Sequence, residues 1–456
     1  MCKGKIEWYV LAVAGIVLGL VLSGTKVQAV PSLARQTGMD CSACHTVFPQ
    51  LTPFGRNFKL TGYTISKDTK KKYEWPPPLA GMTQTCLTHT SKYLPADAVP
   101  KYQSANDNWN LQAVSIFYAG RIYGSLGMFT QGTYDGVERQ FFLDNTDIRF
   151  AKTTKLFDKN LIYGITLNNN PTAQDVLNTT PAWGFPFASS PIAPTPAAAT
   201  LIEGGLAQLA AGGGVYAYWN DLLYLEATFY TKAYSGPFAW LGLGHPVPAV
   251  TVLNGVAPYW RAFLYHQWKK HNIAVGTFGL VANVFPDGQS RGPSNRFVDV
   301  GFDVQYQYIG VPHLITIRST FIQEWQTWGA SNNAAIGDTQ NLHNSLNTYK
   351  INGSYYYRTK KYGTIGGSIG YFLVGGSADN ILYAPDSVEG SKNALPNSNG
   401  FIFEADYLPQ APLDRIKLAL QYTVYNQFNG RYSNYDGFGR NASGNNTLYF
   451  LVWVAY

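Results

Sequence analysis

Three residues near the N-terminus carry the spacing of a covalent cofactor site. Cys41 and Cys44 are separated by two residues, and His45 follows directly. Two thiols one short turn apart can reach the two vinyl groups of one haem, and the adjacent imidazole then lies beside the iron. The alternative is half of a zinc site, which needs two further Cys or His ligands that the nearby sequence does not offer. The motif occurs once, so we predict one covalently attached haem c with His45 as an axial ligand.

A short helix is predicted directly after the motif. Thr52 has the side chain of an N-cap, and Pro53 suits the first helical position. The cationic side chains of Arg56 and Lys59 are candidate partners of the haem propionates, and the alternative is that they form a solvated face. Three apolar side chains share one face and are expected to cover the haem: Leu51, Phe54 and Phe58.

The first residues of the chain are typical of a secretory signal peptide. Lys3 and Lys5 precede the apolar run 8–22, and the small-residue pattern at 27–29 predicts cleavage after Ala29. The alternative is an uncleaved anchor. Export agrees with the motif, because haem c is attached outside the cytoplasm. Three cysteines remain after cleavage and two belong to the motif, so no disulfide framework is expected.

From about residue 79 the pattern has a period of two. Charged residues are only 13%, whereas Gly numbers 45, Tyr 32 and Phe 25, a balance typical of all-β membrane proteins. Apolar and polar side chains alternate along 298–308 and 223–232, as in strands with one apolar and one polar face. No dense Lys/Arg block accompanies the net charge of +7, so no nucleic-acid partner is expected. The predicted strands number about sixteen: 79–92, 109–119, 121–132, 141–152, 159–168, 212–220, 221–232, 257–269, 271–284, 296–308, 313–326, 347–358, 363–373, 399–408, 413–427 and 446–456.

Tight and long connections alternate between these strands. An outer-membrane barrel produces that alternation through short periplasmic turns and long external loops, whereas a soluble β protein does not require it. The Pro/Ala/Gly-rich stretch 169–211 is therefore expected to be an external loop. We predict an all-β fold: an antiparallel outer-membrane barrel of about sixteen strands with a small N-terminal helical cytochrome c plug. The predicted divisions are a signal peptide at 1–29, a haem segment and linker at 30–78, and the barrel at 79–456.

Several stretches together resemble one family. Residues 31–38, the C-x-x-C-H motif, residues 51–60 and the loop at 178–186 are similar to the fused outer-membrane cytochrome–porins of iron-oxidising bacteria. The resemblance covers the mature chain and is most specific over 31–63. It implies one haem, a barrel of this size in the outer membrane, and oxidation of Fe(II) at the cell surface.

Side-chain parity along the first strand indicates a second axial ligand. His89 shares a face with Thr83, Thr85 and Ser91, which predicts that it points into the lumen, whereas Met82 is predicted to face lipid. His89 is also the histidine closest in sequence to the haem segment. We therefore predict His45 and His89 as the two iron ligands, with the haem high in the barrel near the external loops. The alternative is a five-coordinate or water-ligated iron.

The expected activity is outer-sphere electron transfer by an Fe(II)-oxidising oxidoreductase. Fe(II) would give one electron to the haem, which would reduce a periplasmic carrier such as a cytochrome or a copper protein. No nucleophile or general base is required, and no arrangement of Ser, His and Asp indicates one. Two alternatives stay open: a haem-plugged porin for solute passage, and an electron conduit to an external acceptor. We expect outer-membrane lipid to surround the barrel.

Overall fold

The computed structural model describes residues 31–233, 251–332, 336–410, 413 and 415–456. The predicted signal peptide, residues 1–29, lies outside these ranges. Three short helices precede the sheet: α1 Pro31–Thr37, α2 Cys41–Cys44 and α3 Pro53–Leu60. Among the described residues, no helix has the length and apolar character needed to cross a membrane.

The strands of the described chain form one closed antiparallel sheet. Each long strand pairs with its neighbours in sequence, and β1 closes the barrel by pairing with both β2 and β16. A two-residue strand, Val252–Leu253, extends the sheet beside β9. The long strands are β1 Leu79–Thr90, β2 Asn108–Tyr123, β3 Leu126–Asp135, β4 Gln140–Leu156, β5 Lys159–Asn168, β6 Ala210–Trp219, β7 Leu223–Lys232, β8 Ala257–Trp268, β9 His271–Phe285, β10 Asn295–Ile309, β11 His313–Thr327, β12 His343–Arg358, β13 Thr364–Gly376, β14 Ser398–Leu408, β15 Ile416–Gln427 and β16 Thr447–Ala455.

The two faces of the barrel have opposite chemistry. Ile116, Phe229 and Ile369 point outward and are 67%, 58% and 59% exposed. Buried polar side chains such as Glu226 and Asp303 point into the lumen. An apolar outer surface around a polar interior is the arrangement of a bacterial outer-membrane barrel, so the predicted fold and location are confirmed.

One predicted boundary is wrong. The turn expected near residue 120 lies at 124–125, and β2 continues through Tyr123. The plug explains the difference, because the backbone N–H of Arg121 donates to Gln36 Oε1 over 2.9 Å. Gly120 has a φ of 146°, and a Cβ there would collide with the same Gln36 oxygen. The glycine therefore allows close approach of α1 instead of ending the strand.

Candidate functional site

The C-x-x-C-H motif forms a compact turn that is held by backbone hydrogen bonds. Cys41 and Cys44 begin and end α2, and the His45 N–H donates to the Cys41 carbonyl over 2.9 Å. The Thr52 N–H donates to the Cys44 carbonyl, also over 2.9 Å. A Cβ on Gly55 would overlap that carbonyl oxygen, so α3 can lie against the motif only with glycine there.

The motif lies against a cavity of about 410 Å³ inside the barrel. This volume is in the range of small-molecule and cofactor sites. Cys44 and His45 form part of its wall, and the wall is otherwise mostly apolar. The His45 ring packs edge-on against Phe48 with centroids 5.0 Å apart. The apolar wall includes Leu33, Leu51, Phe58, Met82, Phe117, Phe129, Trp183, Phe187 and Trp453.

Burial sets the charge states of the motif. Burial lowers the pKa of His45 to about 4, which keeps the imidazole in the neutral form that binds metals. Burial, and then the neighbouring Cys41, raise the pKa of Cys44 to about 11. The His45 Nδ1 atom is buried and has no hydrogen-bond partner in the described part of the chain. Two thiols, an available imidazole and an apolar cavity together fit a haem c.

The predicted helix cap is confirmed. Thr52 is the N-cap of α3, its hydroxyl accepts from the Gly55 N–H over 3.2 Å, and Pro53 is the first helical residue. Of the three apolar side chains expected to cover the haem, Leu51 and Phe58 line the cavity. Phe54 is not among the lining residues.

Arg56 has a different role from the one predicted. Its guanidinium is buried and is not part of the cavity wall. It donates to Gln307 Oε1 over 3.0 Å, and to the Tyr265 hydroxyl and Asn272 Oδ1 over 3.1 Å each. These three partners lie on β8, β9 and β10. The side chain therefore fixes α3 to the barrel wall and does not line the cavity.

The parity assigned to β1 is wrong, and with it the position of His89. Residues with even numbers are buried along β1, whereas His89 is exposed on the outer face. Its Nδ1 atom lies 2.7 Å from Asp107 Oδ1. Thr83 and Thr85 favoured the wrong parity, because both faces of this strand carry polar side chains, Gln84 and Thr88 being on the buried one. The structure does not bring His89 together with His45.

Met82 is the cavity residue that sequence reasoning missed. It was predicted to face lipid, yet it is 7% exposed and lines the cavity that His45 lines. It lies about 23 Å along the strand from His89, taking roughly 3.3 Å for each of seven residues. The signal available in the sequence was that Ala80, Met82 and Cys86 share one face of the strand.

The plug lies at the end of the barrel where the tight turns are. Arg358, the last residue of β12, donates to the His45 carbonyl over 3.3 Å. Asn272, one of the partners of Arg56, is the second residue of β9 and follows a two-residue turn. Tight turns are periplasmic in outer-membrane barrels. The site is therefore near the periplasmic end, and the predicted position near the external loops is wrong.

The loop between β5 and β6 folds into the lumen instead of staying outside. Residues 169–180 are all buried, in contrast to the predicted external loop. Lys59 of the plug donates to the carbonyls of Ala173 and Asp175 over 2.8 Å each, and to Asn178 Oδ1 over 3.0 Å. Asp175 pairs with Arg261 of β8 over 3.2 Å. This inward loop, residues 169–209, closes the cavity opposite the plug.

Comparison with known proteins gives structural neighbours only. No family model matches the sequence. No curated protein matches it either. The structure is similar to OmpT of Vibrio cholerae, with 11% identity over 83% of this chain and 96% of that chain and a TM-score of 0.42. It is also similar to an anion-selective porin from Comamonas acidovorans, with 9% identity over 83% and 98% of the two chains and a TM-score of 0.44. The first of these neighbours is an outer-membrane protein and the second is a porin.

Proposed function

We propose that this protein is an outer-membrane c-type cytochrome that carries one haem inside the lumen of a porin-like barrel. The observation that carries the proposal is the position of Cys44 and His45 on the wall of an apolar cavity enclosed by the barrel. A thiol pair and a histidine serving only the fold would not need a cavity of cofactor size beside them. The resemblance to the fused cytochrome–porins of iron-oxidising bacteria points to the same function.

Each group of the site has a defined task in this proposal. Cys41 and Cys44 would hold the haem through thioether bonds, and His45 would bind the iron. The bound haem supplies reversible uptake and release of one electron. Phe48 packs against the His45 ring, and the apolar wall would exclude water from a bound haem and thereby tune its potential.

The proposed direction of electron flow is from Fe(II) outside to a carrier in the periplasm. A site near the periplasmic end suits the second step, because a soluble cytochrome or copper protein could approach the tight turns. The first step requires that Fe(II), or its electron, crosses the outer half of the lumen past the inward loop. Asp303 is paired with Arg261 and Asp299 accepts from the Ile202 N–H, so these two lumen carboxylates serve the wall of the barrel.

Solute passage by a haem-plugged porin is the second candidate. The porin-like architecture favours it, and the polar lumen is compatible with it. The packing of the plug and the inward loop against each other through Lys59 opposes it. An electron conduit to an external acceptor is the third candidate, which shares the haem site and differs in the direction of transfer.

Anaerobic stopped-flow absorbance tests the Fe(II) proposal. Oxidised holoprotein is mixed with Fe(II), and appearance of the sharp absorption of reduced haem c is expected. Reduction by dithionite without reduction by Fe(II) would contradict an iron-oxidising role and favour transfer to an external acceptor. A large unblocked conductance of the holoprotein in planar bilayers would favour solute passage.

A further inference from the structure

A haem iron has a second axial position, and the cavity limits which side chains can occupy it. The ligand must line the cavity that His45 lines and must carry a donor atom for iron. Apart from the motif and four amide side chains, the described lining residues that carry such an atom are Lys59, Tyr63 and Met82. His89 lies outside the cavity and is therefore excluded as the second axial ligand.

Two of the three already use their polar atoms. The Lys59 ammonium has three N–H donors, and it donates three hydrogen bonds to the inward loop. The Tyr63 hydroxyl donates to Asp147 Oδ2 over 2.6 Å. Binding iron through either side chain would break buried hydrogen bonds, which is costly.

Met82 has no such competing bond. Its thioether is a soft, adaptable group. It packs with Ala80 and Phe117, and Trp453 lies against this cluster. Phe48 links that cluster to the motif, because its ring centroid is 6.4 Å from that of Trp453 and 5.0 Å from that of His45. We propose that the Met82 sulfur is the second axial ligand, an inference that rests on the proposed haem site.

Substitution of Met82 tests the ligand directly. Oxidised wild-type holoprotein is expected to show the weak far-red absorption of an iron–thioether bond. Met82→Leu should lose that band and should lower the midpoint potential, because methionine ligation raises it. Covalent haem content should not change, since the motif is intact. Met128→Leu is the matched control, because Met128 lies on β3, two strands from Met82, outside the cavity wall.

The possible outcomes distinguish a wrong ligand assignment from the absence of the cofactor. Wild-type protein without covalent haem would overturn the proposed function itself. Haem-loaded Met82→Leu with an unchanged spectrum and potential would overturn only the assignment of Met82. A spectrum that changes in Lys59→Met but not in Met82→Leu would also overturn the assignment of Met82 and would assign the ligand to Lys59.

A second cavity, of about 200 Å³, lies behind the inward loop and carries an independent inference. Its wall includes Arg318 and Thr320 of β11, which are paired in register with Asn352 and Lys350 of β12. Pro181, Gly184 and Pro186 of the inward loop line both this cavity and the haem cavity, so the two are adjacent.

Two buried donors in this second cavity have no partner. Arg318 is 3% exposed and donates through Nε to Gln305 and through Nη1 to the Asn178 carbonyl, each over 3.0 Å. Its Nη2 atom, like Asn352 Nδ2, has no hydrogen-bond partner among the described residues. In the described ranges no carboxylate lies within 4.0 Å of Arg318. Glu203, which also lines the cavity, is paired with Lys350 over 2.6 Å.

A buried guanidinium with one unsatisfied Nη2 group, beside an unsatisfied amide N–H group, favours an anion. We infer that this cavity binds a carboxylate or a small oxyanion through Arg318 and Asn352. The two sources with this chemistry are a propionate of the haem in the adjacent cavity and a free anion from solution.

Calorimetric titration with acetate and with sulfate tests the anion site and its source. The holoprotein and a Cys41→Ser/Cys44→Ser variant, which cannot attach haem, are compared in detergent. We expect the variant that cannot attach haem to bind acetate or sulfate saturably. Adding Arg318→Gln should abolish that binding, whereas Arg296→Gln, at the exposed start of β10, should retain it. Anion binding to the haem-free variant but not to the holoprotein identifies the haem propionate as the natural occupant. Anion binding to both proteins identifies a free anion as the occupant. No binding to either protein overturns the inference and leaves water as the occupant.

Discussion

Replacing Gly55 by alanine tests whether the fold of the plug depends on the close approach of α3 to the haem motif. An alanine Cβ would overlap the Cys44 carbonyl oxygen and would lie 3.1 Å from Leu51 Cδ2. A backbone carbonyl cannot move aside as the end of a flexible side chain can. Overpacking of this kind costs about 1–3 kcal/mol. We expect the docked state of α3 to be weakened by that amount.

Hydrogen exchange followed by mass spectrometry measures the effect. A loss of about 1–3 kcal/mol corresponds to roughly 5- to 150-fold faster exchange of amides that open locally. The increase should be confined to the peptides of the plug, and the barrel strands should keep their protection. Gly132→Ala in β3 is the control, because a Cβ there has no atom within 4 Å. Unchanged exchange across Pro53–Leu60 in Gly55→Ala would refute the geometry described for the motif.

Three further predictions concern the contacts that hold the plug and the inward loop. Arg56→Leu removes three hydrogen bonds, each typically worth about 1.5–3 kcal/mol when one partner is charged, so α3 should exchange faster. Burial, and then Arg149, lower the pKa of Lys59 from 10.5 to about 7. The folded state therefore binds fewer protons than the unfolded state between these values, and docking of the plug should strengthen as pH rises across that window. Lys59→Met should abolish this dependence in exchange measurements at several pH values. Asp175→Asn removes a buried partner of Arg261, so the inward loop should loosen and the bilayer conductance should rise; wild-type conductance would contradict this.

The barrel could be predicted from the sequence because its pattern is repeated along every strand. A side-chain period of two, with tight and long connections in alternation, indicated sixteen strands with bounds near those observed. Local signals also sufficed for α3, where Thr52 and Pro53 mark the helix start. These features depend on neighbours in sequence, so no tertiary knowledge was needed.

The interior of the barrel could not be predicted in the same way. Parity gives two faces for β1 but does not say which one points inward, and Thr83, Thr85 and His89 suggested the wrong one. The inward course of residues 169–180 depends on contacts with Lys59 and Arg261, which are distant in sequence. The contacts of Arg56 could not be predicted from the sequence, because its three barrel acceptors lie more than two hundred residues away along the chain.

The intact mass and the pyridine haemochrome spectrum of the purified protein test the central claim most directly. The protein is expressed with its leader in a host that matures c-type cytochromes, and it is extracted from the outer membrane. We expect one covalently bound haem per chain, lost when Cys41 and Cys44 are both replaced by serine. Protein that folds as a barrel in that host but carries no covalent haem would rule out the proposed haem site.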